Sequence, residues 1–205
     1  MALTPSTMMP LGTPFPSALI AAALGAGTTT QVSGTPLDLA GLAGRPVLVL
    51  FLCAHCPFVK HIEPELTRLA GDHAGGTGSS GLQLIGISSN STFTHPQDGP
   101  EGLRAQAAAG HWTFPYLFDA NQDLARAFQA ACTPDPFLFG LDHRLAYRGQ
   151  LDASRPGSGQ PCDGRDLRAA IAAVVAGDPV IGEQRPSIGC NIKWHPGSEP
   201  EWWAT

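Results

Sequence analysis

Two cysteines separated by two residues stand in the segment Phe51-Leu52-Cys53-Ala54-His55-Cys56-Pro57. A pair so spaced closes a small disulfide within one helical turn and opens again on reduction, so it can carry electrons in either direction. The reactive form is the thiolate, which is favoured by unpaired amides at a helix N-terminus and by the positive end of the helix dipole. The flanking residues predict that setting for Cys53. Pro46 to Leu52 is purely apolar, as in a strand buried on both faces in the middle of a sheet, and its end should deliver Cys53 to the surface. Beyond Pro57, the residues Phe58, Val59, Ile62, Leu66, Leu69 and Ala70 recur at helical spacing, with Lys60, Glu63 and Arg68 directed away. Pro64 should kink this helix and Gly71 should close it.

The chain as a whole narrows the partners. Its 205 residues suffice for one well-buried domain with extensions. The net charge is −5 and the 12 Lys and Arg are scattered, so no basic stripe is available for nucleic acid. No apolar stretch reaches the roughly 20 residues of a membrane span, so no membrane partner is expected. Ser17 to Gly27 (SALIAAALGAG) has the length of a signal's apolar region, but no positive charge precedes Arg45, and the segment is expected to pack on the domain. Five cysteines do not make a disulfide scaffold, and a cytoplasmic location follows.

Further elements follow from patterning. Asp72 to Gly81 is a Gly/Ser loop, and Leu82 to Ile87 is a second buried strand. Residues 90–118 form an insertion holding a weak helix, Glu101 to Ala109, and a short apolar segment, Phe114 to Phe118. Asn121 caps a helix with Leu124, Phe128 and Ala131 on its apolar face. Pro136 to Phe139 and Arg144 to Arg148 form a hairpin. Asp163 caps a last helix carrying Leu167, Ile171, Val174 and Val175, with Gly177 and Pro179 beyond its end. The expected fold class is α/β, a central mixed sheet flanked by helices. Its domain spans 37–180, between an N-terminal extension, 1–36, and a C-terminal tail, 181–205.

That order, with a C-x-x-C between the first strand and its helix, resembles the thioredoxin-like superfamily. Within it, the chain is similar to the redoxin (AhpC/TSA-like) branch over about Leu37 to Gly177. Three segments carry the likeness: Phe51 to Pro57 at the active-site motif, Cys132-Thr133-Pro134-Asp135-Pro136-Phe137-Leu138-Phe139 at the proline loop, and Asp142 to Leu151 at the hairpin. The tail segment Ser187-Ile188-Gly189-Cys190-Asn191-Ile192-Lys193-Trp194 resembles that of a bacterial group of redoxins ending in Gly-Cys-x-Ile-Lys-Trp.

The resemblance implies a thiol–disulfide oxidoreductase. Cys53 would attack a disulfide and Cys56 would resolve the mixed disulfide. Pro134 would be cis, and the Thr133 backbone would lie open to pair with an extended substrate. A partly charged His55 would stabilise the Cys53 thiolate and make the pair more oxidising than a thioredoxin with proline there. Cys190 and Cys132 are possible accessory redox residues; for Cys132 a small buried core residue is the competing expectation. The expected partners are protein or small-molecule disulfides and an electron donor, with no cofactor and no metal.

The chain departs from the family pattern at several positions. Leu52 stands where a tryptophan usually precedes the first cysteine. The first strand lacks the buried acid that accepts the second cysteine's proton, for which Asp135, Glu63 or water would substitute. Zinc is an alternative use of the dithiol, with His61 and Cys190 as further ligands. Peroxide is the alternative substrate, in an antioxidant peroxidase, although the family's peroxidatic threonine position is Leu50, inside the strand. A noncatalytic thiol-containing binding module is the third function class.

Overall fold

The computed structural model describes residues 3–73 and 81–204. The expected loop at 72–81 falls largely outside them. The central sheet has six strands: β2 (Thr29–Ser33), β3 (Val47–Phe51), β4 (Gln83–Ser88), β5 (Tyr116–Asp119), β7 (Asp135–Phe139) and β8 (Leu145–Arg148). In space they run β2-β5-β4-β3-β7-β8. The apolar strand β3 lies inside the sheet, parallel to β4 on one side and antiparallel to β7 on the other. With no polar side chain to solvate, it needs a neighbour on every side, and all its residues are buried.

Alternation along β3 divides the core. Leu48, Leu50 and Leu52 face α2 (Pro57–Asp72), α3 (Pro100–Ala109) and α5 (Arg165–Ala176). Val47, Val49 and Phe51 face α1 (Ser17–Ala26) and α4 (Asp123–Ala127), where Phe51, Phe128 and Phe137 meet edge to face. The segment Ser17 to Gly27 is thus largely a helix packed on the domain, with Ile20 buried. Among the described residues no helix is long and apolar enough to cross a membrane.

Several elements differ locally from their sequence expectations. The helix expected after Asn121 begins at Asp123 behind Gln122, which is in the left-handed conformation, and it stops before Phe128. The last helix starts from Gly164 rather than Asp163; Gly164 has φ +66° and is packed by Glu65, so that a Cβ there would sit 2.9 Å from its Oε1. Glu65, on the buried face of α2, is held by Arg68 and Arg168. The segment 90–118 supplies β5, between β4 and β2, and the N-terminal extension supplies β2 at the sheet edge.

A second, three-stranded sheet is built from β1 (Leu3–Pro5), β9 (Ile188–Asn191) and β6 (Cys132–Thr133), in the order β1-β9-β6. It brings the two ends of the chain together over the dithiol.

Candidate active site

The turn after β3 carries Cys53 to Cys56, and α2 begins at Pro57, whose missing N–H is an orphan donor position in any case. Cys56 is therefore the N-cap residue. This corrects the expectation that the helix N-terminus serves Cys53. Both sulfurs are also fully buried, so Cys53 is not delivered to the surface.

Thr133 contacts both cysteines: its Oγ1 is 3.3 Å from Cys53 Sγ, and its carbonyl oxygen is 3.2 Å from Cys56 Sγ. The following Thr133–Pro134 peptide is cis. The edge of Thr133 is not open, however. In the antiparallel pairing of β6 with β9, Cys190 lies opposite Thr133 and Asn191 opposite Cys132. Cys190 Sγ comes within 2.8 Å of Cys56 Sγ. The tail thus occupies the place where a substrate strand was expected.

Cys56 is the middle sulfur of this group. Hydrogen bonds from Cys190 and then Cys53, aided by the Val59 amide at the helix start, hold it far below the ordinary thiol range despite burial. Cys53 is correspondingly raised, first by its bond to Cys56, then by burial and by the charge of Asp98. Cys190 is raised by its bond to Cys56 and by burial, against the pull of Lys193. The contacts with Cys190 and Cys53 thus favour the thiolate at Cys56 and disfavour it at its two neighbours.

Asp98 is the functional residue that sequence reasoning missed. It is fully buried. Its Oδ1 accepts the Ala54 and His55 amides at 2.9 and 3.2 Å, and its Oδ2 accepts from Asn90 Nδ2 at 2.8 Å and meets His55 Nδ1 at 2.5 Å. Burial works to raise this carboxyl, but the bonds from His55, Asn90 and Ala54 outweigh it and hold it below the usual range. Cys53, His55 and Asp98 each place a donor atom within 4.8 Å of the others. Both Asp98 oxygens are committed to hydrogen bonds, so the grouping reads as a carboxylate that orients a histidine beside a thiol. The His95 ring lies against that of His55, with centroids 4.7 Å apart and planes tilted by 30°.

The other expected residues have different surroundings. Asp135 is fully buried beneath the proline loop, accepting from Ser6 Oγ at 2.5 Å and the Ala131 amide at 3.2 Å. Burial raises it to about 7 in spite of those bonds. Glu63 pairs with Lys60 and accepts from Gln106, whose amide also donates to the Cys53 carbonyl at 3.0 Å. Cys132 is buried, and burial together with the charge of Asp135 raises its thiol. His61, a candidate zinc ligand, bonds Ser154. Cys162 lies apart, beside Arg68.

The AhpC/TSA family profile matches residues 20–150. An uncharacterized conserved protein from Geobacillus kaustophilus is 38% identical with a TM-score of 0.82, over 97% of this chain and 99% of that one. A hypothetical protein from Sinorhizobium meliloti 1021 is 39% identical with a TM-score of 0.81, over 95% of this chain and 100% of its own. A thiol-disulfide isomerase from Corynebacterium glutamicum, 17% identical with a TM-score of 0.56 over 72% of this chain and 91% of that one, shares the fold alone. No curated protein matches. With more than half its length matched, and with the dithiol, proline loop and mixed sheet in their expected order, the chain belongs to the AhpC/TSA family.

Proposed function

We propose that this protein is a thiol–disulfide oxidoreductase working through the Cys53–Cys56 dithiol. The observation that carries the reading is the contact of both sulfurs with Thr133, at 3.3 and 3.2 Å, beside a helix N-cap that favours a thiolate. One thiolate attacks a substrate disulfide, forming a mixed disulfide and releasing one substrate thiolate. The other cysteine then loses its proton and attacks the mixed disulfide, releasing the second substrate thiolate and closing Cys53–Cys56. The substrate disulfide gains the electrons that the dithiol loses.

With β9 seated, the contact with Cys190 is the first of the causes that favour the Cys56 thiolate. When a substrate strand takes the Thr133 edge in place of β9, that contact is withdrawn. Cys53, beside the Thr133 hydroxyl and the His55–Asp98 pair, then makes the first attack and Cys56 resolves. Because all these sulfurs are buried, β9 must yield before a protein disulfide can reach them. A cytoplasmic location and an electron donor that restores the dithiol belong to the same proposal.

Peroxide reduction is the second reading, favoured by the AhpC/TSA match and by the hydroxyl of Thr133 beside Cys53. The test compares insulin-disulfide reduction with hydrogen peroxide consumption for the wild type, Cys53→Ser and Cys56→Ser. Insulin reduction abolished by either substitution is the expected result. Peroxide consumption that survives Cys56→Ser, with no insulin reduction by the wild type, would overturn the dithiol reading in favour of the peroxidase.

A further inference from the structure

The tail strand is tied in place along its length. Before Cys190, Ser187 Oγ donates to the Pro134 carbonyl at 2.6 Å and the Ser187 carbonyl accepts the Ser6 amide at 2.9 Å. After it, the Ile192 amide donates to the Ala131 carbonyl at 2.9 Å, and the Lys193 amide to Asn90 Oδ1 at 2.8 Å. Gly189 passes so close to β6 that a Cβ there would lie 2.0 Å from the Thr133 carbonyl oxygen. Trp194 is buried beneath the tail with the Arg126 guanidinium 4.9 Å from its ring centroid. Cys190 is therefore held in register opposite Thr133, its sulfur against Cys56, by contacts on both sides of it.

We propose that Cys190 is a third redox sulfur of this site, tethered where the cysteine of a substrate strand would pair. The inference rests on the dithiol reading and adds a step to it. Once the Cys53–Cys56 disulfide has formed, Cys190 loses its proton and attacks Cys56 Sγ. A Cys56–Cys190 bond forms, the Cys53–Cys56 bond breaks, and Cys53 leaves as a thiolate that takes up a proton. The step is an isomerisation of one disulfide and needs no further oxidant or reductant. Its product bolts β9 to the helix N-cap and returns Cys53 to the thiol state beside His55.

The reduced state keeps Cys190 a poor nucleophile, because the Cys56 anion raises its thiol. Disulfide formation at Cys56 removes that anion. The Lys193 ammonium, which favours the Cys190 thiolate and is held by the Asn191 carbonyl and Oδ1 at 2.6 and 2.8 Å, then acts unopposed by it. Oxidation of its target thus removes one cause that raises the Cys190 thiol, while burial continues to raise it.

The experiment is non-reducing peptide mapping of the full chain after equilibration in a glutathione redox buffer, for the wild type, Cys53→Ser and Cys190→Ser. Cys53→Ser leaves the tail contacts intact, so its outcome does not depend on how well the Cys190 variant folds. The expected result is a Cys56–Cys190 linked peptide in the wild type and in Cys53→Ser, with loss of both thiols in the latter. Cys56 and Cys190 recovered in Cys53→Ser as thiols or separate glutathione adducts, while Cys190→Ser forms Cys53–Cys56, would overturn the inference and leave the dithiol reading standing. Absence of a Cys53–Cys56 bond in a folded Cys190→Ser protein would overturn the dithiol reading itself.

Discussion

Cys190 pairs with Thr133 across an antiparallel ladder, and through that register its sulfur meets Cys56 at 2.8 Å. One residue thus covers the dithiol, favours the thiolate at the central sulfur and occupies the free edge of Thr133. The first consequence concerns Gly189, where a side chain would collide with the Thr133 carbonyl, a backbone atom that cannot swing away. Gly189→Ala should expel β9 and destabilise the protein by about 1–3 kcal/mol, the usual range for overpacking. Alkylation of Cys53 and Cys56 by iodoacetamide should accelerate under native conditions. An unchanged rate in a folded variant would mean that β9 does not control access.

His55 sits between Cys53 and Asp98 in the turn. Replacing it by proline removes the imidazole and its bond to Asp98, leaving a carboxylate close to Cys53. His55→Pro should therefore make the dithiol more reducing, with each ~30 mV of change in the measured potential representing about 1.4 kcal/mol. Equilibration against glutathione gives the potential, and no change would remove His55 from the redox machinery.

Asp98 accepts donors from Ala54, His55 and Asn90. Asp98→Asn places an amide N–H against at least one of these donors and should cost about 1–3 kcal/mol in urea denaturation. The carboxyl is depressed in the folded state, so its contribution to stability is present above the ordinary carboxylate range and lost as pH falls through the folded value. The wild type should weaken in acid more steeply than Asp98→Asn does.

Asp135 should give the opposite pH dependence. Its folded carboxyl is raised from 3.8 to about 7 by burial, so between those values the folded state holds a proton that the unfolded chain has released. Stability should fall across that window by up to ~1.4 kcal/mol per pH unit from this group. Asp135→Asn should flatten the slope in denaturant titrations at pH 5, 6 and 7.

Thr133 offers a hydroxyl to Cys53, and its backbone remains whatever its side chain. Thr133→Val keeps the strand pairing and deletes the hydroxyl. Because the threonine lowers both Cys53 and Cys56, the pH midpoint of the thiolate's ultraviolet absorbance should move upward. A midpoint that stays in place would assign Thr133 a purely structural part.

What the sequence determined by itself is local or periodic. The unbroken, short and β-branched-rich apolar run at 47–51 reads as a central strand, the 3.6-residue stripe of Val59, Ile62, Leu66 and Leu69 as a helix against it, and the cysteine spacing places both thiols in the intervening turn. Asp98 left no such trace. It is a lone acid in a polar stretch, and only packing of the short helix Pro96–Asp98 against the 54–55 turn makes it the carboxylate of the site. Cys190 was legible as a possible accessory redox residue, but its register opposite Thr133 and the burial of Cys53 were not, because strand pairing between residues more than fifty positions apart depends on register and edge availability, which no local pattern encodes. Helix start was a matter of one turn: with Pro57 as the first helical residue, the N-cap is the second cysteine rather than the first, and tertiary contact with the tail then favours the thiolate there.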